Sequence, residues 1–292
     1  MPTLVSLASI ARLHIIAIGA MGTLTFGYAL CGHRPWLLAL LCASDWFVVN
    51  LLNRVVDLKE DTVNRIAGTQ MVARHKRAVL IVGFAVLVAS LLATALWVPA
   101  LLLFRLAFHT LGFAYNWRLL PWPGGAKRIK DLAFWKNTSS GAGFVLTGFC
   151  YPLAMLPRLP SVSWETVACA AVFFLLFELS YEVLYDLRDV DGDRLAGVRT
   201  WPVIFGARGG YWVAIGLLLA SFVTIAGAYL AQAVPWRIAV MGAAPLLQLV
   251  TARYVVTRGI TSRDCIMITW MGVALLGSWH LWEAFALPGS GP

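Results

Sequence analysis

The chain has 292 residues, of which 60% are hydrophobic and 13% are charged, and its mean hydropathy is +0.77. Soluble domains are about 45–50% apolar and about 25% charged, so this composition excludes a soluble globular protein and indicates a polytopic membrane protein. The net charge of +9 does not predict a nucleic-acid partner, because membrane proteins collect lysine and arginine in their cytoplasmic loops.

Nine apolar segments are long enough to cross a bilayer, which takes about 20 helical residues. In chain order they cover residues 9–30, 36–56, 78–97, 99–117, 133–156, 164–186, 209–231, 236–257 and 265–287. We therefore predict an all-α fold, with about nine transmembrane helices in one domain over residues 1–292. Arg12 and His14 interrupt the first segment, which is also too long for a signal peptide, so we expect it to be a membrane helix.

Basic residues are concentrated in the even-numbered loops between these segments. The odd-numbered loops carry only Arg34, Arg158 and Arg237. The positive-inside rule then places the even loops and the amino terminus in the cytoplasm, and the carboxyl terminus outside. We expect a multi-pass protein of a bacterial cytoplasmic membrane, surrounded by membrane lipids.

The second segment ends in a stripe of polar side chains. Asn53, Asp57 and Asp61 are spaced four residues apart, which puts them on one face of a helix. Oxygen ligands in this arrangement suit Mg²⁺, which binds a few carboxylates together with water and substrate phosphates.

The sixth segment carries a longer acidic stripe. Its members recur every three or four residues and are Glu178, Glu182, Asp186, Asp189 and Asp193. The stripe begins inside an apolar run, where a charged side chain is costly and usually functional.

Both stripes would emerge on the cytoplasmic side. Two carboxylate clusters that face one cavity can hold Mg²⁺ ions, which bridge a diphosphate and neutralise it as a leaving group. Solvated, charged helix ends are the alternative interpretation. It is less favoured for two stripes on one side of the membrane.

Basic residues in the same loops would bind the phosphate oxygens. The candidates are Arg65, Lys127, Arg128, Lys130, Lys136, Arg188 and Arg199. Each of them also serves the charge asymmetry of the loops, so topology alone can account for any one of them.

Polar residues inside the apolar segments are candidates for binding an acceptor. They are Asp45, Asn50, Arg105, His109, Asn137, Ser140, His280 and Glu283. Arg105 and His109 share a helical face, and a buried arginine requires a partner. That partner is either an acceptor carboxylate or, in a purely structural role, Asp45 or Glu283.

These motifs resemble the two signature motifs of the UbiA superfamily of intramembrane prenyltransferases. The resemblance rests on Asn53-xxx-Asp57-xxx-Asp61, on Tyr185-Asp186-xx-Asp189-xxx-Asp193 and on the segment from Gly192 to Gly206. It implies helices around a central cavity under a cytoplasmic cap. It also implies Mg²⁺ as cofactor and an isoprenyl diphosphate as the donor substrate.

The resemblance also assigns roles to residues. Asp57, Asp61, Asp189 and Asp193 would be catalytic, and the metal ligands would be Asn53, Asp57, Asp61, Asp186, Asp189 and Asp193. The substrate-binding residues would include Asn50, Arg65, Tyr115, Lys130, Lys136, Tyr185 and Arg199, with Asp45 and Arg105 added from the polar residues above. The sequence departs from the family at Arg54, where aspartate is common, and at Arg199, where lysine is common.

The sequence therefore predicts a Mg²⁺-dependent prenyltransferase that ionises an isoprenyl diphosphate and transfers the prenyl group to a small aromatic, quinone-precursor or lipid acceptor. A membrane terpene cyclase of the same superfamily would carry identical metal motifs. A transporter or membrane scaffold is the alternative from another class, because intramembrane charges also mark transport pathways.

Overall fold

The computed structural model of the protein describes residues 4–155 and 160–290. These residues contain no β-strand, and one isolated antiparallel bridge pairs Leu120 with Lys127. The helices are α1 (Leu4–Ile10), α2 (Leu13–Cys31), α3 (Trp36–Val56), α4 (Leu58–Val63), α5 (Thr69–Arg74), α6 (Lys76–Trp97), α7 (Leu102–Asn116), α8 (Trp135–Val145), α9 (Tyr151–Ala154), α10 (Trp164–Ala196), α11 (Trp201–Leu230), α12 (Trp236–Ala239), α13 (Ala243–Thr257) and α14 (Ser262–Ala284).

Seven helical spans within the described ranges are long and apolar enough to cross a membrane. The predicted segments 99–117 and 133–156 are helical but do not meet this criterion. The first is a 3₁₀ turn, Pro99–Leu101, followed by the 15-residue helix α7. The second consists of α8, a π-helical turn at Leu146–Cys150, and α9, and its predicted end at residue 156 lies outside the described residues. The all-α membrane fold is confirmed, whereas the count of nine spanning helices stays a prediction.

The outer faces of the helices are apolar, as expected for contact with lipid. On α6, the side chains of Leu92, Leu96 and Trp97 are largely exposed. Aromatic residues fill the interior instead. The rings of Trp46 on α3 and Phe144 on α8 stack with centroids 4.0 Å apart, and Phe26, Phe149 and Phe173 belong to a second cluster. Many of the buried polar residues line one interior cavity instead.

Helix α10 is longer than the sequence predicted. It continues for 33 residues, from Trp164 to Ala196, and ends at Gly197, whose φ of 72° lies in the left-handed region. Glycine reaches this conformation without steric cost, so it is a frequent helix stop. The extension keeps the whole acidic stripe, down to Asp193, on one continuous helix.

The next helix begins earlier than predicted. Helix α11 starts at Trp201 rather than near residue 209, and it is kinked at Gly206, which has φ 73° and ψ 169°. It packs extensively against α10, while α14 packs on α2. The helices thereby surround the interior cavity. Its charged end is lined by α4, by Asn64 after it, and by the segment between α7 and α8. We call residues 58–68 and 117–134 the cap.

Candidate active site

The first acidic stripe lies where α3 passes into α4. Asp57 ends α3 and precedes α4, with φ −92° and ψ 18°. The helical hydrogen-bond pattern nevertheless continues through this point, because Asp57 N–H donates to Asn53 (2.9 Å) and Asp61 N–H donates to Asp57 (2.8 Å). Asn53, Asp57 and Asp61 therefore stay on one side of the chain, as the spacing predicted.

The two stripes face the same cavity. Its polar lining includes all three residues of the first stripe and all five of the second, and its remaining lining is largely aromatic and aliphatic. The polar liners are Arg12, Asn50, Asn53, Asp57, Glu60, Asp61, Asn64, Tyr115, Asn116, Lys130, Lys136, Ser139, Ser140, Glu178, Tyr181, Glu182, Tyr185, Asp186, Arg188, Asp189, Asp193 and Thr269. The cavity thus has a charged end beneath the cap and an apolar end inside the helix bundle.

Basic side chains pair with the first stripe. The ammonium group of Lys130, from the cap, contacts the carboxylate of Asp57 and lies 3.1 Å from that of Glu60. Arg54 contacts Asp61 at 2.5 Å. Lys130 and Arg54 are both almost completely buried, so these are pairs in a largely dehydrated site, where Coulomb forces are strong.

Arg54 also connects this stripe to the start of the chain. Its Nη2 donates to the carbonyl of Ala67 at 2.7 Å and to the carbonyl and hydroxyl of Ser9 at 3.3 Å each. Ser9 belongs to α1 and Ala67 to the cap. The resemblance to the UbiA superfamily led us to expect aspartate at this position. The arginine that stands here instead links Asp61, α1 and the cap.

The second stripe is paired in the same manner. The ammonium group of Lys136 lies 2.7 Å from Asp186 and 2.8 Å from Asp193, and Arg188 donates to its neighbour Asp189 at 2.7 Å. The amide of Asn137 donates to the other oxygen of Asp186 at 2.7 Å. Helix α8 thus supplies the groups that orient the carboxylates of α10.

A glycine brings the two stripes together. The backbone N–H of Gly192, on α10, donates to the side-chain oxygen of Asn64 at 3.1 Å. A Cβ atom at position 192 would lie 2.4 Å from the Asn64 side-chain nitrogen, closer than any real contact. The Asn64 side chain therefore occupies the space that a side chain at position 192 would need, and any larger residue would displace it.

Two acidic side chains of α4, outside the apolar spans, have shifted pKa values. Burial raises the pKa of Asp61, although Arg12 and Arg54 oppose this shift. Burial also raises the pKa of Glu60, and the nearby Asp57 adds to the effect. A buried carboxylate is stabilised by a cation close to it, so both groups favour additional positive charge at this end of the cavity.

The oxygen-rich end of the cavity fits a divalent cation such as Mg²⁺. The Oδ1 atom of Asn53 is buried without a hydrogen-bond partner and stands on the same stripe as Asp57 and Asp61. Within the part of the chain that the structure describes, no three His, Cys, Asp or Glu side chains converge closely enough to hold a metal by themselves. Mg²⁺ commonly takes only one or two protein carboxylates and completes its shell with phosphates and water, so this donor set is suitable.

Asp45 and Arg105 do not line the cavity. Both side chains are fully buried. The Arg105 guanidinium pairs with Asp45 and also donates to the Ser90 carbonyl at 2.7 Å. His109 and Tyr151 hydrogen-bond the same carboxylate at 2.8 and 2.7 Å. The expectation that Asp45 and Arg105 bind substrate does not hold in this structure, because their polar atoms are directed at one another and not at the cavity.

Arg65 and Arg199 are also outside the cavity lining. Both are exposed on the surface of the protein, so their placement does not support the substrate contacts expected of them. Asn50, Tyr115, Lys130, Lys136 and Tyr185, in contrast, all line the cavity. The Tyr185 hydroxyl hydrogen-bonds Thr269 at 2.8 Å, and Lys130 lies 6.0 Å from the centre of the Tyr115 ring.

Several cavity-lining or supporting residues were not predicted as site residues. They include Arg12, Arg54, Glu60 and Asn64. Arg12 precedes α2 in a left-handed conformation, with φ 50°. A charged residue at the start of an apolar segment is unusual, and this feature of Arg12 could have marked it as a site residue. The contact between Asn64 and Gly192 joins residues 128 positions apart and left no local signal.

Solved structures contain the same fold. A UbiA homologue from Archaeoglobus fulgidus, determined bound to DMAPP and Mg²⁺, superposes with a TM-score of 0.71 at 15% identity, over 94% of this chain and 97% of that one. A homologue from Aeropyrum pernix K1 gives a TM-score of 0.63 at 14% identity, over 94% and 98% of the two chains. At this identity the likeness establishes the class of fold alone, that of a helical membrane protein built like these homologues.

The particular family follows from the sequence. The model of the UbiA prenyltransferase family matches residues 16–273, and the chain belongs to this family, which confirms the resemblance inferred from the motifs. Curated relatives include digeranylgeranylglyceryl phosphate synthases from Haloquadratum walsbyi (33% identity over 92 residues, 30% of each chain) and Natronomonas pharaonis (30% identity over 98 residues, 33% of this chain and 35% of that one). The matched segment spans about a third of the length of these relatives.

Proposed function

We propose that the protein is a Mg²⁺-dependent prenyltransferase that ionises an isoprenyl diphosphate and passes the prenyl group to an acceptor. The observation that carries this proposal is the two-ended cavity. Carboxylates of α3–α4 and α10, with their basic partners, occupy one end, and aromatic and aliphatic side chains form the other. An amphiphile with a strongly anionic head and an apolar tail matches this distribution.

The diphosphate would bind at the charged end. Lys130, Lys136 and Arg188 stand there as cationic hydrogen-bond donors, and such donors form strong, short bonds to phosphate oxygens. Asn53, Asp57 and Asp61 on one side, and Asp186, Asp189 and Asp193 on the other, would hold Mg²⁺. When bound, the metal supplies positive charge that stabilises the departing diphosphate.

The prenyl chain would extend into the apolar end. The lining there is Ile18, Phe26, Phe108, Phe144, Phe173, Phe174, Phe177, Met241, Leu275 and Leu276. Aromatic faces stabilise a nearby cation by about 0.5–2 kcal/mol each, and they exclude water that would capture an allylic cation. The apolar end therefore both receives the chain and protects the reactive carbon.

The homologues support this proposal. Structures of the Archaeoglobus fulgidus homologue were determined with DMAPP or GPP together with Mg²⁺. The names of the curated relatives favour a glyceryl phosphate lipid as acceptor, while an aromatic or quinone-precursor acceptor stays a prediction from the sequence. The distribution of basic loops supports a cytoplasmic orientation of the cap.

The experiment compares one aspartate from each acidic stripe with an exposed aspartate of α10. Asp57→Asn and Asp189→Asn should each lower Mg²⁺-dependent diphosphate release from geranyl, farnesyl or geranylgeranyl diphosphate by at least about 100-fold, the effect of removing one electrostatic stabiliser. Asp191→Asn is the matched control, because the Asp191 side chain is exposed and directed away from the cavity. Purified protein in detergent is assayed for diphosphate, and lipid products are identified by mass spectrometry.

The outcomes distinguish the alternatives. Wild-type rates in Asp57→Asn and Asp189→Asn would refute the metal-dependent site. Cyclic hydrocarbons made from the donor alone would identify a terpene cyclase. Ion-coupled uptake without any turnover would identify a transporter.

A further inference from the structure

Two glutamates of α10 lie deeper in the cavity than the aspartates. Glu182 and Glu178 precede Asp186 by one and two helical turns, which corresponds to about 6 and 12 Å along the axis at 1.5 Å per residue. Both line the cavity among Phe174, Phe177 and other apolar groups. If the diphosphate is held at Asp186 and beyond, C1 of the prenyl group reaches the depth of Glu182.

Glu182 is oriented by a neighbouring helix. The hydroxyl of Ser140, on α8, donates to its carboxylate at 2.6 Å. Ser140 lies one turn from Lys136, which holds Asp186. The same face of α8 therefore positions a carboxylate at the charged end and another one beneath it.

Glu178 has no such partner. Its side chain is 8% exposed, and no hydrogen bond or ion pair joins it to another of the residues described. Its carboxyl group lines the cavity, so a ligand in the cavity can donate a hydrogen bond to it.

The surroundings restrict what that ligand can be. The basic residues of the cavity are Arg12, Lys130, Lys136 and Arg188, and none forms an ion pair with Glu178 or Glu182 among the residues described. Arg105, the one deep arginine that we expected to bind an acceptor, is tied to Asp45 outside the cavity. No cation is therefore paired with these glutamates to bind an acceptor carboxylate, whereas a hydroxyl can donate a hydrogen bond to them.

We propose that Glu178 and Glu182 form a site for a hydroxyl-bearing acceptor, and that Glu182 is the catalytic base that removes the proton of that hydroxyl. This inference rests on the proposed prenyltransferase function. Glu178 lines the same site one helical turn deeper, and Ser140 is a positioning residue for Glu182.

In this step one C–O bond and one O–H bond break, and one C–O bond and one new O–H bond form. The bond between C1 and the bridging oxygen breaks, and its electron pair leaves with the diphosphate. The acceptor oxygen forms a bond to C1, its O–H bond breaks, and the proton passes to the Glu182 carboxylate. The products are a prenyl ether, diphosphate and a protonated Glu182, which returns its proton to water when the products leave.

The test separates ionisation from capture. Ionisation is measured by scrambling of ¹⁸O from the bridging to the non-bridging positions of labelled geranylgeranyl diphosphate. Capture is measured as ether formation from a monoprenyl glyceryl phosphate with one free hydroxyl, or from simple long-chain alcohols, with homogentisate as an aromatic carboxylate. Glu182→Gln should keep scrambling within about threefold and lose ether formation by about 100-fold or more, the usual contribution of a general base.

Two further variants test the role of the carboxylate itself. Glu182→Ala should regain ether formation when formate is added, because formate can replace a missing base but not a missing structural contact. Glu165→Gln is the matched control, an exposed glutamate in the first turn of the same helix, and it should behave as wild type.

Each result has a defined meaning. Wild-type protein that shows no Mg²⁺-dependent scrambling and no diphosphate release overturns the proposed function itself. Wild-type protein that scrambles but forms no ether from any alcohol, or prenylates only the aromatic carboxylate, overturns the inference alone. Normal ether formation by Glu182→Gln, or equal loss of scrambling and ether formation, also overturns it.

Discussion

Two clusters of buried charged side chains can be compared in the described part of this protein, and only one of them lines the cavity. At the charged end of the cavity, Lys136 holds Asp186 and Asp193. Within the bundle, about 18 Å along α3 from Asp57 at 1.5 Å per residue, Asp45 holds Arg105. Sequence alone gives both places the same mark, an ionisable residue in an apolar segment.

The two clusters differ in how far the protein balances their charges. The Asp45 carboxylate pairs with Arg105 and hydrogen-bonds His109 and Tyr151, and Arg105 also donates to the α6 backbone. The cavity cluster contains more carboxylates than cations and leaves Asn53 Oδ1 without a partner. A network of balanced charge stabilises the bundle, whereas an acidic network with unused acceptors favours cations, which in turn bind phosphate. Three substitutions test this difference.

Breaking the Asp45–Arg105 cluster should have the largest effect on stability. Asp45→Ala leaves the Arg105 charge buried without a counterion, and loss of one partner of a buried pair costs about 3–5 kcal/mol. We expect a strongly lowered thermal unfolding temperature in detergent. The double variant Asp45→Leu with Arg105→Met removes both charges and should recover most of that stability. A stable Asp45→Ala protein that has lost only its use of an acceptor would instead make this cluster a substrate site.

Breaking the cavity cluster should affect activity more than stability. Lys136→Met removes the ammonium group between Asp186 and Asp193 and with it a donor to the diphosphate. We expect kcat/KM for the prenyl diphosphate to fall by about 10- to 100-fold, somewhat less than for a metal-binding aspartate, with a nearly unchanged unfolding temperature. Lys127→Met, in the cap but outside the cavity lining, is the control. An unfolded Lys136→Met protein would show that the two clusters do not differ in kind.

Changing the distance between the two acidic stripes should have the smallest effect on kcat/KM. Gly192→Ala places a methyl group against Asn64 and should move the cap away from α10. Small displacements of catalytic groups lower rates strongly, and we expect a loss of about tenfold in kcat/KM. Adding Asn64→Ala makes room for the methyl group and should restore part of the rate. If Gly192→Ala is as active as wild type, the approach of the cap is not critical.

Local patterns predicted the helices of the fold and the acidic stripes that line the cavity. The four-residue spacing placed Asn53, Asp57 and Asp61 on one face, and the apolar segments coincide with helices in the described chain. The end of α10 was missed because acidic residues read as a solvated helix end, whereas Lys136 and Arg188 neutralise them and the helix runs on to Gly197.

Tertiary pairing could not be predicted in the same way. Nothing in the sequence near Arg105 distinguishes a structural partner from an acceptor, because both satisfy a buried arginine. Only the folded chain shows that Asp45 is the partner of Arg105, and that His109 and Tyr151 hydrogen-bond the same carboxylate. Similarly, the charge of Arg65 and Arg199 predicts phosphate-binding residues. Both are exposed and lie outside the cavity lining, because the conformation of the loops, which sequence does not reveal, decides where they point.

The bridge made by Arg54 has a practical consequence for work with this protein. Arg54 donates a hydrogen bond to Asp61 with Nη1 and to Ser9 with Nη2. The amino-terminal helix α1 is therefore linked through one side chain to a candidate metal ligand. We expect a purification tag, fluorescent fusion or truncation at that end to disturb the hydrogen bonds that hold Asp61 in place. Fusions are therefore better placed after α14, and any assay that compares preparations must use the same leading residues.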